Sequence, residues 1–172
     1  VEITGTGDVS DVVGAGILAS TTGGNGNVTV NRDGSVDGGA EGIVASVAGT
    51  GTLDLDVTGT NTVDGGATGM SATVGTGTGT VDIAAGAQVR GGVDLANADL
   101  AGVAAALATF GDAGGTITVT NAGTVDADNA ADSVAIAAGD NVDTAFTNTG
   151  TVLGMASSTA GAGAVTLTND NL

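Results

Sequence analysis

The chain has 172 residues, a formal net charge of -17 with Arg32 and Arg90 as its only cationic side chains, and no Cys, Pro, His, Trp or Tyr. That length suffices for one domain with a buried core. The acidity argues against nucleic acid and anionic lipid, which are held by Lys and Arg, and the lack of Cys excludes disulfides and thiolate metal sites. No apolar run of about 18 residues is present, so no membrane-spanning helix is expected. A high net charge with 33 glycines raises the question of disorder, but only 12% of residues are charged and 41% are hydrophobic, many of them β-branched. A chain of that composition folds. The first residues show no basic region followed by an apolar segment, so a signal peptide is expected to be already removed or to lie outside this sequence.

In chain order, the first unit opens on Val1-Glu2-Ile3, passes Gly7-Asp8 to Val9, and reaches Gly14-Ala15-Gly16-Ile17 and Ala19. The second, VTVNRDGSVDGGAEGIVAS at 28–46, repeats this layout with Val28, Val30, Val36, Ile43 and Ala45. The third carries Leu55, Val57, Val63, Met70 and Ala72. The fourth has Val81, Ile83 and Val89, and the fifth Ile117, Val119 and Val125. The sixth has Phe146 and Val152, with Thr144 where an apolar residue is expected. Steps between the valines at 9, 36, 63, 89, 125 and 152 are 27, 27, 26, 36 and 27 residues. Each unit therefore holds three short strands separated by glycine-rich turns, and the apolar–polar–apolar alternation marks one buried face. Aligned on the valines, Val30 lies over Val57 and Ile83 over Val119.

Strands this short are not stable as isolated hairpins. Antiparallel pairing would not align column with column, and a leucine-rich horseshoe needs more Leu. Stacking each unit on the next, about 4.8 Å away, makes the apolar columns a continuous interior. The expected fold is all-β, a right-handed parallel β-helix (solenoid) of about 27 residues per coil and roughly six coils, forming a single domain over 1–172. The one long step implies an insertion around residues 93–110, VDLANADLAGVAAALATF. Leu100, Val103, Leu107 and Phe110 fall at helical spacing, so a short helix is one reading. The other is a loop and a longer third strand with Val103 and Ala105 in the interior column. Insertions protrude from one face of a solenoid, which makes Asp94, Asn97 and Asp99 candidate binding residues.

The repeats VTVNRDGSVDGGAEGIVAS, VTGTNTVDGGATGMSAT, ITVTNAGTVDADNAADSVAIAA and FTNTGTVLGMAS resemble the passenger domains of bacterial autotransporters (type V secretion), adhesin-like β-helical proteins. The resemblance covers essentially the whole chain. It implies a non-enzymatic adhesin or stalk, at the bacterial cell surface or secreted, attached through an outer-membrane barrel that is not in this sequence. It also implies a host-surface or extracellular-matrix protein or glycan as partner. Strands Val1-Glu2-Ile3 and AVTLTNDNL carry the repeat without polar caps, so the chain is expected to be a fragment of a longer passenger domain. Self-association through open β-helix ends follows from the same feature.

The alternative function is a carbohydrate-active β-helix, a polysaccharide lyase or hydrolase. No catalytic residues and no cofactor are expected. With no His or Lys, and the two arginines two coils apart, an acid–base set is hard to assemble. A carboxylate pair from Asp54, Asp56 and Asp82 keeps a glycosidase formally open. No metal site is expected: GGNGNVTVN at 23–31 resembles a calcium-binding nonapeptide, but Val28 stands where the aspartate ligand belongs. Thr-x-Thr rows suited to ice are interrupted by charges. Directly after the anchor valines come Ser10, Asp37, Asp64, Arg90, Asp126 and Leu153. In-register stacking places Arg90 between Asp64 and Asp126 as a structural salt-bridge column.

Overall fold

The computed structural model describes residues 1–91, 105–127, 134–139, 141–158 and 163–170. The first coil contains β1 (Glu2–Gly5), β2 (Val9–Asp11) and β3 (Ala15–Thr21). The second contains β4 (Val28–Arg32), β5 (Val36–Gly38) and β6 (Glu41–Val47), and the third β7 (Thr52–Val57), β8 (Thr62–Gly65) and β9 (Thr68–Val74). The fourth has β10 (Thr78–Ile83), β11 (Gln88–Arg90) and β12 (Ala105–Gly111), and the fifth β13 (Thr116–Asn121), β14 (Thr124–Asp126) and β15 (Val134–Ala138). The sixth has β16 (Asp143–Asn148), β17 (Thr151–Leu153) and β18 (Met155–Ser158), and β19 (Val165–Asn169) begins a seventh.

Strands stack by rank within the coil. The first sheet runs β1-β4-β7-β10-β13-β16-β19, the second β2 to β17, and the third β3 to β18. All the pairings between described strands are parallel, for example Val36 beside Val63 and Ile43 beside Met70. The protein is a parallel β-helix. Its core is a set of files, each one side chain deep per coil. In the second sheet the file is Val9, Val36, Val63, Val89, Val125 and Val152. In the third it is Ile17, Ile43, Met70, Leu107, Ile136 and Ala156. Burying each large member contributes about 1.5–3 kcal/mol, and the contribution exists only while a neighbouring coil covers it.

The first sheet departs from the sequence alignment. Val30 pairs with Leu55, not Val57, and Val81 with Val119, so Ile83 meets Asn121. The cause is corner length. Three residues, 33–35, connect β4 to β5, but the four residues 58–61 connect β7 to β8, which begins one residue before its anchor valine. Because strand side chains alternate with period two, a two-residue slip leaves every inward residue inward.

Three polar features enter the interior. Arg32, 5% exposed, takes the inward position between Gly5 and Val57. Gly5 leaves room for its guanidinium, and Nη2 donates to the Gly7 carbonyl. Farther along the same file, Asn121, Asn148 and Asn169 form a ladder: Asn121 Nδ2 donates to Asn148 Oδ1 at 2.7 Å and Asn148 Nδ2 to Asn169 Oδ1 at 2.9 Å. The Asn121 amide also donates to the Thr151 carbonyl, and its Oδ1 accepts from Gly123 N–H. Thr144, the apparent break in the pattern, is buried and shares a 3.1 Å hydrogen bond with Thr109. The asparagines and threonines are tolerated inside because they pair with one another between coils, whereas Arg32 Nε is buried without a hydrogen-bond partner among the described residues.

Residues 105–111 form β12, so Leu107 and Phe110 lie on a strand rather than a helix. Ala106 and Leu107 join the main core, whereas Ala105 packs with Ala108, Phe110 and Ala137 in a separate small cluster instead of the interior file. A strand here lets Leu107 continue the Met70–Ile136 file, which a helix could not do. Val103 and Leu100 lie outside the described residues.

Glycine is fixed at the corners by contact with the coil beneath. A Cβ on Gly51 would collide with the Gly26 carbonyl, and one on Gly77 with the Gly51 carbonyl. Gly49, at φ 91°, additionally requires the left-handed region. Gly7, by contrast, has open space at its Cβ position. Gly77→Ala is therefore expected to lower unfolding free energy by about 1–3 kcal/mol, and Gly7→Ala to change it by less than about 0.5 kcal/mol, as read from urea denaturation. Asn148→Ala removes the buried link to Asn121 and the bonds to Asn169 and the Gly150 carbonyl, and is expected to cost about 1–3 kcal/mol in the same assay.

Candidate functional site

Because inward positions are filled by the core, chemistry is confined to outward rows and corners. On the first sheet one outward row reads Glu2, Thr29, Asp54, Thr80, Thr118, Ala145 and Thr166. The next reads Thr4, Asn31, Asp56, Asp82, Thr120, Thr147 and Thr168. The register shift moves Thr80 beside Thr118, yet carboxylates still interrupt both rows. Asp54, Asp56 and Asp82 are thus brought together at the middle of the sheet. Thr80 Oγ1 donates to Asp54 Oδ1 at 2.7 Å. Asp56 and Asp82 are in register on adjacent strands and border a shallow groove of about 340 Å³ with Thr58 and Thr120. Partial burial, together with the charges of Asp54 and Asp82, pushes the Asp56 carboxyl above its usual range.

On the second sheet Arg90 stands between Asp64 and Asp126 in the outward row. Its Nη1 is 4.0 Å from Asp64 Oδ2, with both side chains more than a third exposed. Asp37 is in register with Asp64 on the other side, so Arg90 serves a row of like charges. An exposed pair of this kind contributes about 0–1 kcal/mol.

At the second corner of the first coil, Asp11 Oδ1 accepts from the N–H groups of Val13 (3.0 Å) and Gly14 (3.2 Å), which hold its carboxyl below the usual range. This turn projects Val12 and Val13, 88% and 80% exposed, into solvent. Neither the turn nor the asparagine ladder was among the sequence candidates. The ladder's signal is the recurring Asn-x-Gly of Asn121-Ala122-Gly123 and Asn148-Thr149-Gly150. Asp94, Asn97 and Asp99 lie outside the described residues.

In chemical terms the first-sheet carboxylates stand side by side on one surface. Such a row presents negative charge to a partner, whereas glycoside hydrolysis needs two carboxyl groups flanking the scissile bond. Among the described residues no group of three or more metal-ligating side chains is arranged to hold a cation. No family model, characterised protein or solved structure matches the chain.

Removing the cation from the second-sheet row tests its weight. Arg90→Ala is expected to lower unfolding free energy by at most about 1 kcal/mol, with the loss shrinking as salt screens the pair. Denaturation at low and high ionic strength checks it.

Proposed function

We propose that the chain is a non-enzymatic structural and adhesive module of a bacterial surface protein, a passenger segment of the autotransporter type. The observation that carries this reading is the continuous stack of three parallel sheets, with outward rows on the first sheet that are mainly Thr, Asn and Asp. Six full coils at about 4.8 Å each make a stiff element nearly 30 Å long, repeating one polar surface along its axis. The net charge of -17 favours solubility and discourages non-specific contact with anionic surfaces. The partner is a host-surface or matrix protein or a glycan, met by the outward rows and by the segment containing Asp94, Asn97 and Asp99. The setting is the cell surface or the exterior, with attachment through an outer-membrane barrel.

The carbohydrate-active reading is the second choice. It draws on Asp54, Asp56 and Asp82, and is weakened by their placement on one open surface with no facing acid among the described residues. Binding of the immobilised chain to a glycan array and to matrix proteins separates the two. Adhesion predicts saturable binding that weakens when residues 93–102 are replaced by a short Gly/Ser link, with no polysaccharide cleavage. Cleavage that disappears in Asp56→Asn and Asp82→Asn would decide for the enzyme, and no binding to any surface would remove the adhesive role.

A further inference from the structure

We propose that the outward carboxylate group on the first sheet, Asp54, Asp56 and Asp82, is an acid-responsive element that tightens the coil stack as pH falls. The element follows from the geometry of parallel stacking. In-register neighbours are about 4.8 Å apart along the axis, so the Asp56 and Asp82 side chains are held on the same face of adjacent strands. Asp54 lies two residues before Asp56, on the same face of β7. Separating the strands would relieve the repulsion between these charges, but it would also expose the Leu55–Val81 file beneath them. The native stack therefore holds like charges that the unfolded chain spreads apart.

No cation offsets them. Around Asp56, β4 supplies Asn31 in register and Thr29 beside it, and β10 supplies Asp82 and Thr80. Beyond Asp82, β13 presents Thr120. Arg32, the nearest cation in sequence, points inward to the Gly7 carbonyl. Arg90 belongs to the second sheet, 4.0 Å from Asp64. The terminal ammonium of Val1 donates to the Asn27 carbonyl. The other acidic groups of this sheet, Glu2 and Asp143, sit in different coils.

The direction follows from linkage. Asp56 is harder to ionise in the folded chain than in the unfolded one, because of burial first and of Asp54 and Asp82 second. Its contribution to stability is fully present below the ordinary aspartate value of 3.8 and is lost as pH rises through its elevated folded value. Asp11 works oppositely. Its lowered value makes its backbone contacts stabilising above 3.8 and lost as pH falls through the depressed value. Acidification from neutrality thus strengthens the stack until the Asp11 turn begins to protonate.

Thermal unfolding of the full chain between pH about 7.5 and about 4.5 tests this, with Asp56→Asn beside Asp112→Asn, an equal charge change at an exposed corner. The wild-type midpoint is expected to rise on acidification. Asp56→Asn should raise the midpoint near neutrality by about 2–4 °C, the shift that about 1 kcal/mol produces in a domain of this size, and should flatten the rise. Asp112→Asn should keep the wild-type slope. An Asp56→Asn variant with the wild-type slope overturns the proposal. So does equal flattening by Asp112→Asn, which would assign the effect to overall charge. Side-chain carboxyl titration by NMR gives a second reading: Asp56 should take up its proton above the ordinary aspartate value of 3.8, and titration at or below that value would also overturn it.

Discussion

The backbone hydrogen bonds that join each strand to its equivalent one coil away set the terms for the rest of the molecule. They fix a repeat of about 4.8 Å along the axis, and every side chain then meets the residue at the same position of the next coil. Apolar columns such as Val36–Val63–Val89 become the core because that repeat brings their methyl groups into contact. Composition answers to the same distance. At the corners two backbones approach at coil spacing, and a Cβ on Gly51 would enter the carbonyl of Gly26. Proline, which removes a ladder donor, does not occur in the chain.

Column stacking amplifies whatever occupies a position. A single buried asparagine would be a liability, but Asn121, Asn148 and Asn169 satisfy one another from coil to coil and tie in the corner backbone through Gly123 and Thr151. Repeated carboxylates behave in the opposite way. Asp56 beside Asp82, and Asp37 beside Asp64, are held as like-charged neighbours by the core beneath them. Arg90 relieves the second row, and on the first row the Asp56 proton equilibrium shifts instead. Interior files thus favour cohesion while outward files set charge, and the adhesive reading proposed for the chain draws on the outward files.

The architecture was legible because the anchor valines follow a Gly-x pair in four of six units and keep a spacing of 26 or 27 residues over four of the five steps. Strand number per coil and the inward or outward sense of each residue followed, since both depend only on local alternation. Lateral register in the first sheet was not legible. Corners of different length absorb two residues without changing any residue's face, so hydrophobic pattern alone does not distinguish Val30 over Leu55 from Val30 over Val57. The inward position of Arg32 was not legible, because it depends on the space left by Gly5, a contact 27 residues distant. Phe110 and Leu107 share a helical spacing that β12 overrides, because Leu107 completes a file between Met70 and Ile136. Asp64, Arg90 and Asp126 follow directly from the valine alignment, since no corner intervenes between anchor and charge.

Pairwise cysteine cross-linking reads the stacking most directly, in a chain that has no cysteine of its own. Thr29 and Asp54 are backbone partners on adjacent coils, and at about 4.8 Å their Cα atoms lie within disulfide range. Thr29 and Asp56 are offset diagonally by two residues, beyond about 7 Å and outside it. Parallel stacking in this register requires rapid, near-complete oxidation of the Thr29→Cys/Asp54→Cys protein with the fold retained, and little for Thr29→Cys/Asp56→Cys. The reverse preference would return the first sheet to the uniform repeat, and failure of both pairs to close would contradict parallel stacking of successive coils.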